Sequence, residues 1–335
     1  MRTLSFVGSD KNAGKTTVFN FVAFEMRRTL AKNSPLILTS IGINGELWDN
    51  LETTPKPAIR VDVGDYFVTA DRQLTDHHGK YAILKSFPPP DTLKTFVLAR
   101  ALVPFDVVLE GPNEKDSLLK VKREIAKRFP KGVLLLDGSI DRQFIGSPDV
   151  SDAFYFVLLI TDRAQQVQKA QDLVRPLTFE DCPAGIRKII LKNIESGTKC
   201  LLGNKTGEIF YKGAEVPAID ERLREAVIKS KSSETFLYLN GSFSRTFSNF
   251  LGPMAGLTLI LDNFTLYQDI SVEKAAQTGP KRISLLHPVR VEKIFIKQET
   301  ERTPFEIPAR FPTQNLFRED PYEIGIGTKH HSERD

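Results

Sequence analysis

The stretch from Arg2 to Leu30 constrains the fold more than any other. Leu4-Ser5-Phe6-Val7 is a short apolar run that reads as a buried strand. It passes at once into a polar, glycine-bearing loop, Gly8-Ser9-Asp10-Lys11-Asn12-Ala13-Gly14-Lys15-Thr16-Thr17. From Val18 onward Phe19, Val22, Ala23, Met26 and Leu30 fall at helical spacing, so the loop opens directly into an amphipathic helix. A strand that turns through glycine into a helix start is the beginning of an α/β layer, with the loop at the carboxyl end of the strand.

The residue types in that loop suit an anion. Gly14 lets backbone approach phosphates without a Cβ in the way. Successive N–H groups of Asp10, Lys11, Asn12 and Ala13, together with the helix N-terminus, supply partial positive charge. In a P-loop Lys15 reaches the β- and γ-phosphates and the Thr16 hydroxyl ligates Mg²⁺, while Thr17 is placed for the α-phosphate. ATP with Mg²⁺ is the expected ligand. The spacing has one irregularity: the first glycine position of the usual pattern is Ser9, with Gly8 one residue earlier.

Such a loop needs an acid from a second strand for the metal or its water shell. Phe105-Asp106-Val107-Val108-Leu109-Glu110 ends in an acid before Gly111-Pro112, which makes Glu110 the expected metal carboxylate beside Thr16. A further run, Val133-Leu134-Leu135-Leu136, ends in Asp137-Gly138-Ser139. Asp137 either faces the nucleotide or a substrate, or caps the next helix. Glu46 and Asp49 lie in the turn-rich segment after Leu36–Gly42, where a solvated acidic turn is an equally good reading.

The early Gly-Ser-Asp and the Glu110-Gly111 pair resemble dethiobiotin-synthetase-like P-loop proteins. Lys11–Thr17, the stretch Ser40-Ile41-Gly42-x-x-Gly45-Glu46-x-x-Asp49 with Lys56-Pro57, and Leu136-Asp137-Gly138-Ser139-Ile140-Asp141-Arg142 occur in that order. That combination resembles the smaller subunit of the lysine 5,6-aminomutase reactivase, most clearly over residues 1–160. The resemblance implies an ATP-binding subunit of a reactivating, chaperone-like factor for an adenosylcobalamin-dependent aminomutase. It also implies a MutS-like ATPase subunit as partner. Asn44 departs from the family's acid before Gly45-Glu46. The alternative is a stand-alone ATP-dependent ligase of the dethiobiotin-synthetase kind, against which stand the chain's length and the lack of a second basic cluster for a carboxylate substrate.

Composition excludes several classes. Of 335 residues 41% are hydrophobic and 26% charged, a globular balance. No apolar run approaches the roughly 18–20 residues that span a bilayer, and the N-terminal run is too short for a signal peptide, so a cytoplasmic protein is expected. The net charge of +4 is spread along the chain, which argues against a nucleic-acid partner. Cys182 and Cys200 make neither a disulfide framework nor a metal site. The pairs His77-His78 and His330-His331 lack metal-ligand spacing. An Asn-Lys-x-Asp guanine reader is absent, Gly203-Asn204-Lys205-Thr206 stopping short of the acid.

The expected architecture is α/β. A P-loop-NTPase-type, mostly parallel sheet with helices on both faces occupies residues 1–150. A second α/β unit over 151–300 offers a partner surface, and residues 301–335 form an extended or disordered tail. In the second unit the expected strands are 153–160, 186–191, 235–243, 257–262 and 291–296, with helices at 165–174 and 244–251. Asn240-Gly241-Ser242 and Asp262 stand at strand ends, where caps and tight turns compete with a ligand or partner role.

Overall fold

The computed structural model describes all residues except 32, 45–47, 50–51, 56–57, 89–93, 139–142, 196, 215–219, 231–233, 252–255, 269–279, 281, 299–304 and 316–335. At 44, 48–49, 52–55, 143 and 250–251 it describes the backbone alone. The chain divides into two compact units, Met1–Ile145 with Asp149–Ala170 and Arg290–Asp335, and Gly146–Pro148 with Gln171–Val289.

The first unit begins with β1 (Arg2–Gly8), α1 (Lys15–Thr29), β2 (Leu36–Ser40) and the short β3 (Gly42–Asn44), β4 (Trp48–Asp49), β5 (Glu52–Pro55) and β6 (Ile59–Val61). Then come β7 (Tyr66–Ala70), β8 (Tyr81–Phe87), β9 (Phe96–Ala101), β10 (Phe105–Val107), β11 (Leu109–Gly111), α2 (Lys115–Arg128), β12 (Val133–Asp137), β13 (Ala153–Ile160) and α3 (Ala164–Val174), whose residues from Gln171 on belong to the second unit. A nine-stranded sheet has the order β21-β20-β13-β1-β12-β2-β7-β9-β8, where β20 (Val291–Gln298) and β21 (Thr313–Gln314) return from the end of the chain. Strands β21 through β7 in that order run parallel, and the edge pair β9 and β8 is antiparallel.

The side-chain alternation of these strands explains the two-faced burial. Leu36 and Leu38 of β2, with Val133 and Leu135 of β12, join Val18, Phe19, Val22 and Ala23 of α1 in one apolar cluster. The intervening Ile37 and Leu134 join Val121 and Ile125 of α2 in another. Successive strand residues point to opposite faces, so α1 and α2 cover opposite sides of the sheet. Each of the Leu, Ile, Val and Phe side chains among them contributes roughly 1.5–3 kcal/mol of transfer free energy.

The second unit contains β14 (Glu180–Asp181), α4 (Ala184–Asn193), β15 (Cys200–Asn204), β16 (Ile209–Gly213) and α5 (Glu221–Lys229). It continues through β17 (Thr235–Leu239), α6 (Arg245–Leu251), β18 (Thr258–Leu261) and β19 (Arg282–Leu285). Its six-stranded sheet has the order β14-β19-β18-β17-β15-β16, parallel from β14 to β17 and antiparallel beyond. Cys182 and Cys200 are free and buried, and burial pushes their thiols up to about 11 and about 12.

Several elements differ from expectation. The segment 186–191 is helical, within α4, because Ile186 and Ile190 fall one turn apart and bury the same stripe. The strands at 153–160 and 291–296 exist but belong to the first unit's sheet, where β13 lies between β1 and β20. The run 105–110 is split at Val108, and its halves pair antiparallel with β6 and β3 instead of joining the large sheet. In the tail, Thr313–Gln314 form the short extended strand β21, and His330 and His331 lie outside the described residues. Among the described residues no helix is long and apolar enough to cross a membrane.

Candidate functional site

The loop between β1 and α1 is held by strand pairing on one side and by the helix on the other. Ser9 N donates to the Val157 carbonyl at 2.9 Å, and Ser9 Oγ accepts from Leu159 N at 3.0 Å. The serine that replaces the usual glycine therefore extends the pairing of β1 with β13 through its side chain. Asn12 and Gly14 both adopt positive φ, 61° and 87°. Asparagine tolerates that region and glycine occupies it freely, so the chain can reverse twice within three residues.

Helix α1 begins at Lys15 with no side-chain cap and no acid in its first turn. Its first i→i−4 bond runs from Val18 N to the Gly14 carbonyl at 3.0 Å. The N–H groups of Lys15, Thr16 and Thr17 precede that bond and have no helical acceptor, which leaves the positive end of the helix dipole open to an anion. By contrast α5 is capped by Asp220, whose side chain accepts from Arg222 N.

Lys15 does not point into solvent. Its Nζ donates to the Gly138 carbonyl at 2.5 Å and lies 2.7 Å from Asp137 Oδ1. Asp137 is fully buried at the carboxyl end of β12, the direct neighbour of β1. Its Oδ1 is paired with the Lys15 ammonium, whose charge opposes the cost of burying the carboxylate. Burial pushes the Asp137 carboxyl above the ordinary carboxylate value, with Lys15 opposing.

Glu110 is held elsewhere. Its carboxylate is almost fully buried and receives Arg72 in a two-pronged contact, Nε to Oε2 at 2.9 Å and Nη2 to Oε1 at 2.8 Å. Gln73 and Lys94 complete the set at 2.8 and 2.7 Å. Burial pushes its carboxyl up, and Gln73, Lys94 and Arg72 together bring it below the ordinary value. Those partners lie outside the loop, and β11 pairs antiparallel with β3, so the rule of ligands at parallel strand ends does not apply to Glu110. Gly111 packs against β2 closely enough that a Cβ would stand 1.7 Å from the Ser40 carbonyl oxygen, which requires glycine there.

The remaining expected positions separate. Ala13 is buried in the α1 cluster, and Lys11 is exposed. Asn44 lies in β3 and Asp49 in β4 by their backbone, while Glu46, Lys56, Pro57 and Ser139 to Arg142 lie outside the described residues. In the second unit Asp262 accepts from the buried Tyr238 hydroxyl at 2.8 Å, which gives it a structural partner. Two lysines that sequence reading passed over reach the loop: Lys169 Nζ lies 3.0 Å from Asp10 Oδ1, and Lys297 Nζ donates to the Asn12 carbonyl at 3.3 Å. Both stand on elements far along the chain, and no local pattern marks them.

A magnesium ion is held by one or two carboxylates together with phosphates and water. The Thr16 hydroxyl in the first turn of α1 and the carboxylate of Asp137, whose Oδ1 is paired with Lys15, are oxygen donors of the kind such an ion takes. Among the described residues no group of three or more His, Cys, Asp or Glu side chains forms a metal site independent of a ligand. No protein-family model matches the chain, and neither a curated protein nor a solved structure matches it.

Proposed function

We propose that the chain is a P-loop protein that binds a nucleoside triphosphate, ATP with Mg²⁺, on the loop from Asp10 to Thr17. The observation that carries this reading is the Lys15–Asp137 pair at the open N-terminus of α1. A cation reaching over the loop, free N–H donors and a buried acid on the next strand are the parts that phosphate binding uses. Mg²⁺, when bound, would neutralise phosphate charge, with Thr16 and Asp137 to hold it or its water shell. Lys15 and the helix N–H groups bind and orient the phosphates. Glu110, already saturated by Arg72, Gln73 and Lys94, serves the scaffold in this reading.

The larger role follows from the sequence resemblance. The protein acts as the ATP-binding subunit of a reactivating factor for an adenosylcobalamin-dependent aminomutase, together with a MutS-like ATPase. The ligase alternative has less support, because the basic pair Arg72 and Lys94 is neutralised in part by Glu110. The test is twofold: calorimetric titration with Mg-ATP and Mg-GTP, with and without EDTA, and affinity capture from cells. Metal-dependent binding and recovery of a cobalamin mutase or MutS-like ATPase support the reading. Turnover of a small carboxylate with Mg-ATP and no such partner contradicts it.

A further inference from the structure

Helix α3 brings charge to the loop between β1 and α1. Gln166 and Lys169 are three residues apart and share one helix face. Lys169 Nζ lies 3.0 Å from Asp10 Oδ1, and Gln166 helps to lower the same carboxyl. Gln166 is itself oriented by Thr161, whose hydroxyl meets its Oε1 at 2.6 Å. Asp10 Oδ1 also accepts from Lys11 N at 2.8 Å. Burial pushes the Asp10 carboxyl up, but Lys169 and the Lys11 N–H hold it below its ordinary value. The carboxylate is therefore a fixed negative charge inside a loop built for an anion.

That placement is unfavourable for phosphate binding unless a cation accompanies it, and Lys169 is that cation. The Lys169 side chain is 46% exposed and that of Asp10 16%, so the lysine can leave or share the contact by turning toward solvent at modest cost. We infer that Lys169 reads the charge of the bound nucleotide: it pairs with Asp10 alone in the empty loop and bridges Asp10 and the phosphates when a triphosphate binds. With a diphosphate, which brings less charge to the loop, it stays on Asp10. The inference rests on the nucleotide reading above and adds a positioning residue that distinguishes triphosphate from diphosphate.

The test compares the affinities of Mg-AMP-PNP and Mg-ADP for the full chain and for Lys169→Ala, Lys169→Arg, Asp10→Asn and Lys15→Ala. Lys169→Ala is expected to weaken the triphosphate analogue by about tenfold, the loss of one charge-assisted contact, while Mg-ADP changes by less than about twofold. Lys169→Arg restores most of the loss. Asp10→Asn keeps an acceptor for Lys11 N but removes the competing charge, so it strengthens triphosphate binding. Equal weakening of both nucleotides by Lys169→Ala, or weaker triphosphate binding in Asp10→Asn, overturns the inference. If the parent binds nucleotide and loses it in Lys15→Ala while Lys169→Ala matches the parent, this inference alone fails. A parent that binds neither nucleotide overturns both.

Discussion

Lys15 Nζ and Asp137 Oδ1 lie 2.7 Å apart, with the lysine side chain one quarter exposed and the carboxylate wholly buried. The pair is lopsided: the lysine can be solvated by turning outward, whereas the aspartate cannot. A ligand that draws Lys15 onto phosphate leaves Asp137 as an uncompensated buried charge, and a divalent cation is the natural replacement. Nucleotide and metal are therefore expected to bind together.

Asp137→Asn should accordingly stabilise the empty protein, by about 1 kcal/mol, because it removes a buried charge and leaves a lysine that can reach water. Thermal unfolding in EDTA measures this. The same variant should lose metal-dependent nucleotide affinity. Its pH dependence carries the sign of a raised carboxyl. The stability that Asp137 contributes is full below its unfolded value of about 3.9 and is lost as pH rises through the higher folded value. In Asp137→Asn that loss disappears.

Glu110 carries the opposite sign. Its folded carboxyl lies below the ordinary value, so its contribution is present above an unfolded pKa of about 4.3 and is lost as pH falls through the folded one. Glu110→Gln should destabilise the protein by about 1–3 kcal/mol at neutral pH, with the difference shrinking in acid. Urea unfolding at a series of pH values measures it. Mg-nucleotide affinity should stay within about twofold of the parent, while a tenfold loss, about 1.4 kcal/mol, would make Glu110 the metal carboxylate after all.

Ser9→Ala removes the acceptor for Leu159 N, a buried contact between the loop and β13. Leaving that N–H without a partner should cost about 1–2 kcal/mol in urea unfolding. Ser9→Thr, which keeps the hydroxyl, should recover part of it. Equal stability of Ser9→Ala and the parent would mean that the hydroxyl plays no part in holding the loop.

Much of the fold was legible because its elements carry strong local periodicity. The apolar run of β1 and the helical spacing of α1 mark themselves, as do the continuous apolar residues of β12 and β13. What was not legible is pairing across distance. Nothing near residue 291 announces that β20 lies beside β13, and the single boundary expected near residue 150 gave way to a chain that leaves the first unit and returns. In α4 the β-branched isoleucines Ile186, Ile189 and Ile190 read as a strand, although their spacing buries one helical stripe.

The candidate site shows the same division. The loop lysine and threonines are readable because strand, glycine and helix are contiguous. Which acid pairs with the loop lysine is not, since Glu110 and Asp137 both follow apolar runs and their partners come from elsewhere in the chain. Arg72 and Lys94 claim the first, Lys15 the second. Side chains brought together from remote segments decide which carboxylate faces the loop.

The most direct test of the nucleotide site is calorimetric titration of the parent and of Lys15→Ala with Mg-ATP. The account predicts saturable binding by the parent that EDTA weakens, and a loss of at least about tenfold in Lys15→Ala, the effect of removing a charged contact to phosphate. Equal affinity in the two proteins would contradict it.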